Sequence, residues 1–153
     1  MGWSRENFSM VEFEVIIKEN DEFKTAWVSR GSAVEEKPWG FETKWTGFAG
    51  IHGKTLFVKK GCRTSLKYNT RKTEVLMLRS GEAEVTFGNE NTVLSSDLYP
   101  YKTEKLEPGD CLLVQSGCPY RIKAIVDCEI FEIGDNASDT PVRIDDDYGR
   151  TKE

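Results

Sequence analysis

The sequence contains very little histidine and no closely paired cysteines. Of its 153 residues only His52 is a histidine, and the four cysteines include no Cys-x-x-Cys pair. Zinc knuckles and thioredoxin-type sites need paired cysteines, so the sequence argues against both classes. His52 lies in the string Gly50-Ile51-His52-Gly53, which is typical of a turn, and we expect a surface position for it.

The chain also lacks long apolar runs and a basic excess. No run approaches the roughly 18 apolar residues that span a bilayer. The first twenty residues contain one short apolar stretch, Val15 to Ile17, and no small-residue cleavage site. With 26 acidic and 21 basic residues the net charge is -5, which does not favour binding to a phosphate backbone. We therefore expect a cytoplasmic protein with no membrane or nucleic-acid partner.

What the sequence does contain is a succession of short apolar runs, rich in β-branched and aromatic residues, with turn signals between them. No stretch has a convincing helical period. The pattern predicts an all-β protein, a single-domain jelly-roll barrel. The predicted strands are Phe13 to Lys18, Thr25 to Ser29, Gly40 to Trp45, Lys54 to Val58, Ser65 to Asn69, Val75 to Arg79, Ala83 to Phe87, Thr103 to Leu106, Cys111 to Val114, Tyr120 to Ile125 and Ile130 to Ile133.

Three regions follow from this pattern. Residues 1–33 are predicted N-terminal strands, candidates for exchange between two chains of a homodimer. Residues 34–150 form the barrel, and residues 151–153 are a tail. Within the barrel, Asn89 to Thr103 is the longest irregular connection, a place where binding specificity often resides.

Two sets of residues stand at characteristic intervals along the chain. The first set is Gly61, Lys67, Asn69, Glu74 and Gly81, and the second is Gly109, Gln115, Gly117, Tyr120 and Ala124. Every interval matches the two motifs of the cupin superfamily, which the chain therefore resembles. The resemblance implies a barrel whose interior holds a divalent cation on histidines and one glutamate.

This chain departs from that ligand set. Where cupins place His, His, Glu and His, it has Lys67, Asn69, Glu74 and Tyr120. Because strand residues alternate between faces, Lys67 and Asn69 point the same way, into the barrel. We hypothesise that the Lys67 ammonium takes the electrostatic role of the metal, paired with Glu74 and hydrogen-bonded by Asn69 and Tyr120. We accordingly expect no metal and no other cofactor.

The same residues are the candidates for chemistry. Glu74 as base, Tyr120 as acid and Lys67 as electrostatic partner form a candidate catalytic set for proton transfer beside a sugar carbonyl. The candidate ligand-binding residues are Lys67, Asn69, Arg71, Gln115 and Arg150. A plainer interpretation is that the polar residues fill the interior as a hydrogen-bonded network without any ligand.

Flanking strings narrow the resemblance. They are Lys37-Pro38-Trp39-Gly40-Phe41, Ser65-Leu66-Lys67, Ser80-Gly81-Glu82-Ala83-Glu84-Val85 and Val142-Arg143-Ile144-Asp145-Asp146-Asp147-Tyr148-Gly149-Arg150. Together, over residues 34–150, they resemble the type II mannose-6-phosphate isomerase cupin, also found at the C-terminus of mannose-1-phosphate guanylyltransferases. That resemblance implies metal-assisted interconversion of mannose 6-phosphate and fructose 6-phosphate, with Arg150 as a phosphate or sugar contact.

Three functions remain open on this basis. The leading one is a metal-free cupin that binds a small carbohydrate or sugar phosphate in the barrel. The second is an active sugar isomerase or epimerase, and the third is a structural or regulatory cupin dimer without ligand. A small-molecule ligand and a second copy of the chain are thus the expected partners.

Overall fold

The computed structural model describes residues 23–136 and 138–151. These residues form β-strands joined by turns and contain no helix, so the all-β prediction is confirmed. The strands are β1 (Ala33–Lys37), β2 (Gly40–Phe48), β3 (Ile51–Val58), β4 (Leu66–Tyr68), β5 (Glu74–Ser80), β6 (Ala83–Phe87), β7 (Lys102–Leu106), β8 (Cys111–Val114), β9 (Tyr120–Ala124), β10 (Cys128–Gly134) and β11 (Val142–Asp145).

The strands build two facing antiparallel sheets. The first sheet has the order β1-β2-β3-β10-β5-β8, and the second has the order β11-β4-β9-β6-β7. Neighbours in each sheet are mostly distant in sequence; β10, for example, lies between β3 and β5. This exchange of strands between two sheets is the predicted jelly roll.

The core lies between the sheets and follows strand parity. Apolar side chains from the inner faces fill it, and the largest of those that are almost wholly buried are Tyr120, Leu76, Leu78, Ile122, Val58 and Val85. Because alternate residues of each strand point inward, any polar residue in step with them is buried as well. That parity brings several charged residues into the barrel.

His52 also points inward, and the prediction that it lies in a surface turn is wrong. The turn between β2 and β3 is only two residues long, Ala49 and Gly50, and both have positive φ (54° and 78°). Two positive φ values match the twist of a tight hairpin, so both strands extend beyond their predicted ends. His52 thus lies within β3, paired with Gly47, and its exposure is only 7%.

The N-terminal part of the described chain also differs from prediction. Thr25 to Ser29 is not a strand, and the predicted strand Phe13 to Lys18 lies outside the described residues. An unpredicted strand, β1, pairs with β2 from Ala33↔Lys44 to Lys37↔Gly40. Its sequence, AVEEK, is mostly charged and exposed. Such a composition is common at sheet edges but gives no period-2 apolar signal.

The segment between β6 and β7 is irregular, as expected. In its first turn the Thr92 N–H donates to the Asn89 carbonyl oxygen, and the Asn89 N–H donates to the Thr92 hydroxyl oxygen. Across the described parts of the chain there is no helix of the length and apolar character that bilayer crossing requires.

Candidate functional site

The inner faces of the two sheets leave a small cavity, in which the space open to the centre of a water molecule is about 20 Å³. Its wall is half apolar and half polar. The lining residues are Trp39, Glu42, Lys54, Leu56, Thr64, Lys67, Leu76, Tyr120, Ile122 and Glu132. Two carboxylates and two ammonium groups therefore face one small space inside the barrel.

Glu132, on β10, is the centre of this charged group. Its Oε2 atom lies 2.9 Å from His52 Nε2 and 3.4 Å from Lys54 Nζ. Burial alone raises the pKa of Glu132, but the Lys54 charge and the His52 hydrogen bond outweigh burial and hold that pKa well below its usual range. Glu132 is therefore ionised at neutral pH, at 2% exposure.

Lys54, on β3, is held between two carboxylates. Its Nζ atom lies 3.1 Å from Glu42 Oε2 in addition to the contact with Glu132. Burial lowers the pKa of Lys54, yet the two carboxylates raise it above its ordinary value. Glu42 in turn lies 3.8 Å from Lys37. These ions satisfy one another without any ligand.

Lys67 is different. It lies on β4 opposite Tyr120 of β9, and its Nζ atom is 6.0 Å from the centroid of the Tyr120 ring. No carboxylate oxygen of the described residues lies within 4.0 Å of this ammonium group. Burial lowers the pKa of Lys67, and the attraction of Glu132 does not fully compensate. Lys67 is thus the unpaired cation of the cavity wall.

Glu74 has other partners than the one we expected. The Tyr120 hydroxyl donates a short hydrogen bond to Glu74 Oε2, and Lys72 Nζ lies 3.3 Å from Glu74 Oε1. The expected Lys67–Glu74 ion pair is not formed, because Lys72 is already there. Burial and the Glu74 charge raise the pKa of Tyr120 well above 10.0. Glu74 lies behind Tyr120 and does not line the cavity.

Asn69 is brought inside as predicted but is not bonded to Lys67. It follows β4 directly and is 2% exposed. Neither its amide nitrogen nor its amide oxygen has a hydrogen-bond partner among the described residues. A buried, unbonded amide is costly, so this side chain has hydrogen bonds to offer to a water molecule or ligand.

The structure places the remaining predicted ligand residues away from the cavity. Arg71 and Gln115 are exposed loop residues. The Arg71 backbone binds Asp139 and Asn136, which holds the loop before β5 in place. Arg150 is bound to Asp146, with 2.8 Å between Nη2 and Oδ1. None of the three lines the cavity.

Two further arginines beside the motifs are also paired. Arg63 binds both carboxylate oxygens of Asp147, at 2.6 and 2.7 Å. Arg121 Nη1 lies 3.0 Å from Asp145. The closing string Asp145-Asp146-Asp147 thus binds Arg63, Arg121 and Arg150, and in this structure it serves as a clasp that fastens the C-terminal strand to the second sheet.

A metal ion does not suit the residues present. Of the four motif positions, only Glu74 offers a carboxylate, and Lys67 adds a positive charge that repels a cation. A second group, His52, Glu74 and Glu132, has ligand atoms within 4.8 Å of one another. Its carboxylates, however, already contact Lys54, Lys72 and Tyr120, so a cation would have to displace these partners. The expectation of a metal-free site therefore stays a prediction with a physical reason.

The sequence contained a signal for two of the residues we missed. Lys54 and Glu132 each stand in step with a buried apolar residue of their strand, Leu56 beside Lys54 and Ile130 beside Glu132. Glu42 does not, since Gly40 and Lys44 are its neighbours in step on β2. A charged residue on the apolar face of a strand is rare unless it is paired. Searching the predicted strands for such interruptions would have found Lys54 and Glu132, but not Glu42.

The protein was compared with known proteins. No family model and no curated sequence matches the chain. Solved structures do match. One is a Bacillus subtilis oxalate decarboxylase mutant, with a TM-score of 0.63 at 18% identity over 81% of this chain and 34% of that one. KdgF from Halomonas sp. matches with a TM-score of 0.57 at 11% identity, over 68% of this chain and 87% of that one.

A vicilin structure also matches. Vicilin from Capsicum annuum has a TM-score of 0.60 at 17% identity, over 80% of this chain and 38% of that one. The chain thus spans about a third of the length of the decarboxylase and the vicilin. All these proteins share the two-sheet jelly-roll barrel described above. The fold is that of the cupins. At such identities the likeness carries the fold alone, and the nearer resemblance to mannose-6-phosphate isomerase stays a proposal.

Proposed function

We propose that this protein is a metal-free cupin that binds a small carbohydrate or sugar phosphate in its barrel. The observation that carries the proposal is the cavity at Lys67, where the ammonium group has no ion-pair partner among the described residues while Lys54 has two. The charges of the wall balance in number, and an anion beside Lys67 gives this ammonium group the close partner that it lacks. A phosphate group is such an anion, and lysine binds it as a point charge.

The rest of the wall suits a sugar. Both contacts of Glu132, with His52 and with Lys54, use Oε2, which leaves Oε1 to accept a hydrogen bond from a ligand hydroxyl. Trp39, Leu56 and Ile122 supply apolar surface for the C–H faces of a ring. Apolar walls with a few fixed polar groups are what small-molecule sites usually have.

The size of the cavity limits the ligand. Pockets for drug-sized ligands usually have volumes of about 300–1,000 Å³. The cavity here is far smaller, since the space open to the centre of a water molecule is only about 20 Å³. A monosaccharide or its phosphate can enter only if side chains of the wall move, and a nucleotide sugar needs still more room.

The test is thermal unfolding of chelator-treated protein with mannose, mannose 6-phosphate, fructose 6-phosphate and inorganic phosphate. A ligand at 100 times its dissociation constant stabilises the folded protein by about 2.7 kcal/mol, which raises the melting temperature by several degrees. Lys67→Met is expected to lose the response to phosphorylated sugars. The matched variant Arg150→Gln, which changes a cation outside the cavity, is expected to keep it. The proposal fails if no ligand raises the melting temperature, or if Lys67→Met responds like the wild type.

A sugar isomerase or epimerase is the second candidate, and the Tyr120–Glu74 hydrogen bond favours it. A phenol that is hydrogen-bonded to a carboxylate can take part in general acid–base catalysis. Glu74, however, lies behind Tyr120, so only Tyr120 of this pair touches the cavity. Turnover of mannose 6-phosphate by chelator-treated protein, lost in Glu74→Gln with folding intact, would support this candidate.

A cupin dimer is the third candidate, and the outer face of the first sheet favours it. Leu113, Val75 and Ile133 stand side by side across three strands, and Leu113 is 71% exposed. Phe131 and Met77 form the next such row. Monomers seldom expose broad apolar patches. Sedimentation of the full chain, with Leu113→Glu as the disrupting variant, tests whether a second copy covers this face.

A further inference from the structure

Lys67 has two properties that make a lysine a nucleophile. A lysine amine reacts when it is withdrawn from water or placed beside a second cation, since both favour the neutral form. Lys67 is half-buried in the cavity wall, and Lys54 lines the same cavity. Burial, the largest effect, and the Lys54 charge both lower the pKa of Lys67. Lys54, fixed between Glu42 and Glu132, remains the charged neighbour.

No other lysine that we have placed in the barrel combines these features. Lys54 and Lys72 each have a carboxylate oxygen within 3.4 Å and are held in ion pairs. Lys72 does not line the cavity. Lys67 alone of these residues both faces the open space and has no carboxylate within 4.0 Å in the described structure.

We propose that Lys67 forms an imine with the carbonyl group of a small aldehyde or ketose that enters the cavity. The free amine adds to the carbonyl carbon, so that a C–N bond forms while the carbonyl π bond breaks and its oxygen takes a proton. The resulting hydroxyl leaves as water, and a C=N bond remains. No oxidant or reductant is involved.

With this reaction Lys67 would activate a carbonyl substrate, at a motif position where cupins have a metal ligand. A protonated imine withdraws electrons from the neighbouring carbon, and thereby weakens the C–H bond there. A metal ion bound to a carbonyl oxygen has the same effect. The proposal rests on the proposed function to the extent that a small sugar must be able to enter the cavity. It adds a covalent bond that binding alone does not require.

Reductive trapping tests the imine. The full chain is incubated at neutral pH with glycolaldehyde, or separately with glycolaldehyde phosphate, in the presence of sodium cyanoborohydride, which reduces an imine to a stable secondary amine. Peptide mapping then locates the adduct. We expect Lys67 to be modified first, ahead of exposed lysines such as Lys60. In Lys67→Arg, which keeps the charge but cannot form an imine, we expect this early adduct to be lost.

The outcomes separate the two proposals. If the adducts are spread over exposed lysines with no excess at Lys67 in the wild-type protein, the imine proposal is overturned, whatever the variant does. If sugar phosphates raise the melting temperature yet Lys67 is not trapped, the binding function survives and the imine does not. If Lys67 is trapped while no sugar phosphate stabilises the protein, the imine stands and the proposed sugar-phosphate function falls.

Discussion

Two groups of charged residues in this barrel differ in how completely their charges are paired. In the C-terminal clasp each of Arg63, Arg121 and Arg150 binds its own aspartate. In the cavity, by contrast, Lys54 takes both carboxylates and Lys67 is left without one. The clasp is electrostatically complete and has a structural role. The cavity is incomplete, and a site with an unpaired cation is where an outside anion is stabilised most.

The difference corrects an inference that residue type alone suggests. Arginine binds phosphate well, so Arg71 and Arg150 were natural candidates for ligand contacts. Arg150, however, is already bound to Asp146 in the clasp, and the exposed Arg71 lies outside the cavity wall. Lys67 is the better candidate for binding an anion because it has no ion-pair partner, although arginine in general binds phosphate well.

The largest expected change in stability follows from removing Glu132, the carboxylate that contacts both His52 and Lys54. Glu132→Gln removes the charge that His52 and Lys54 share, and leaves Lys54 with Glu42 alone. Removing one member of a buried ion pair strands its partner, so we expect a loss of about 3 kcal/mol in the free energy of unfolding. Denaturant unfolding measures it. Glu129→Gln, on the outer face of the same strand, is the control and should change stability by less than about 0.5 kcal/mol.

Lys67→Met should change the free energy of unfolding in the opposite direction and stabilise the protein. Because burial lowers the pKa of Lys67, the folded state disfavours its ammonium form, and this penalty is present at neutral pH. It is relieved as the pH rises toward the ordinary value of 10.5, where the unfolded chain also loses the proton. We expect Lys67→Met to be about 1 kcal/mol more stable than the wild type at neutral pH, with the gain shrinking at alkaline pH. A less stable variant would mean that Lys67 has a partner in the folded protein.

Arg150→Gln tests the clasp. Arg150 is 23% exposed but the Asp146 side chain is covered, so the pair is partly buried and we expect a loss of about 1 kcal/mol. Ligand binding should be unchanged, since Arg150 lies outside the cavity wall. Weakened binding of sugar phosphates by this variant would return Arg150 to the site and contradict the contrast between the two groups.

The smallest effect concerns acid stability. Hydrogen bonds from Arg150 lower the pKa of Asp146 from 3.8 to about 2. The carboxylate therefore contributes stability that is fully present above pH 3.8 and lost as the pH falls toward 2. Asp146→Asn should be slightly less stable than the wild type near neutral pH, and the difference should vanish in strong acid. If the difference in stability between Asp146→Asn and the wild type stayed the same over this pH range, the Asp146 charge would not be its cause.

Most of the barrel was predictable from local patterns. Alternating apolar residues predicted strands such as β5 and β6, and the motif spacing placed Lys67 and Tyr120 in the barrel, where the structure pairs them across β4 and β9. The misses are places where pairing overrides local preference. β1 is a charged strand that exists because β2 is beside it. The extension of β3 to His52 depends on a two-residue turn at Ala49, which has positive φ although it is not glycine.

The site was harder to predict because it depends on which ion meets which. Motif spacing placed Glu74 and Tyr120 inside the barrel, where they are hydrogen-bonded, yet it could not show that Lys72 and not Lys67 pairs with Glu74. Nor could it find Glu132, which belongs to neither motif and comes from β10. Partners in a barrel are set by strand order, and β10 lies beside β3 and β5 only in the folded sheet.

The most direct test is a calorimetric titration of chelator-treated protein with mannose 6-phosphate, run on the wild type and on Lys67→Met. We predict saturable binding of one ligand per chain to the wild type without metal, and no binding to the variant. Binding that appears only after a divalent cation is added back, or that survives in Lys67→Met, would contradict the assignment of the unpaired lysine as the anion-binding group of this barrel.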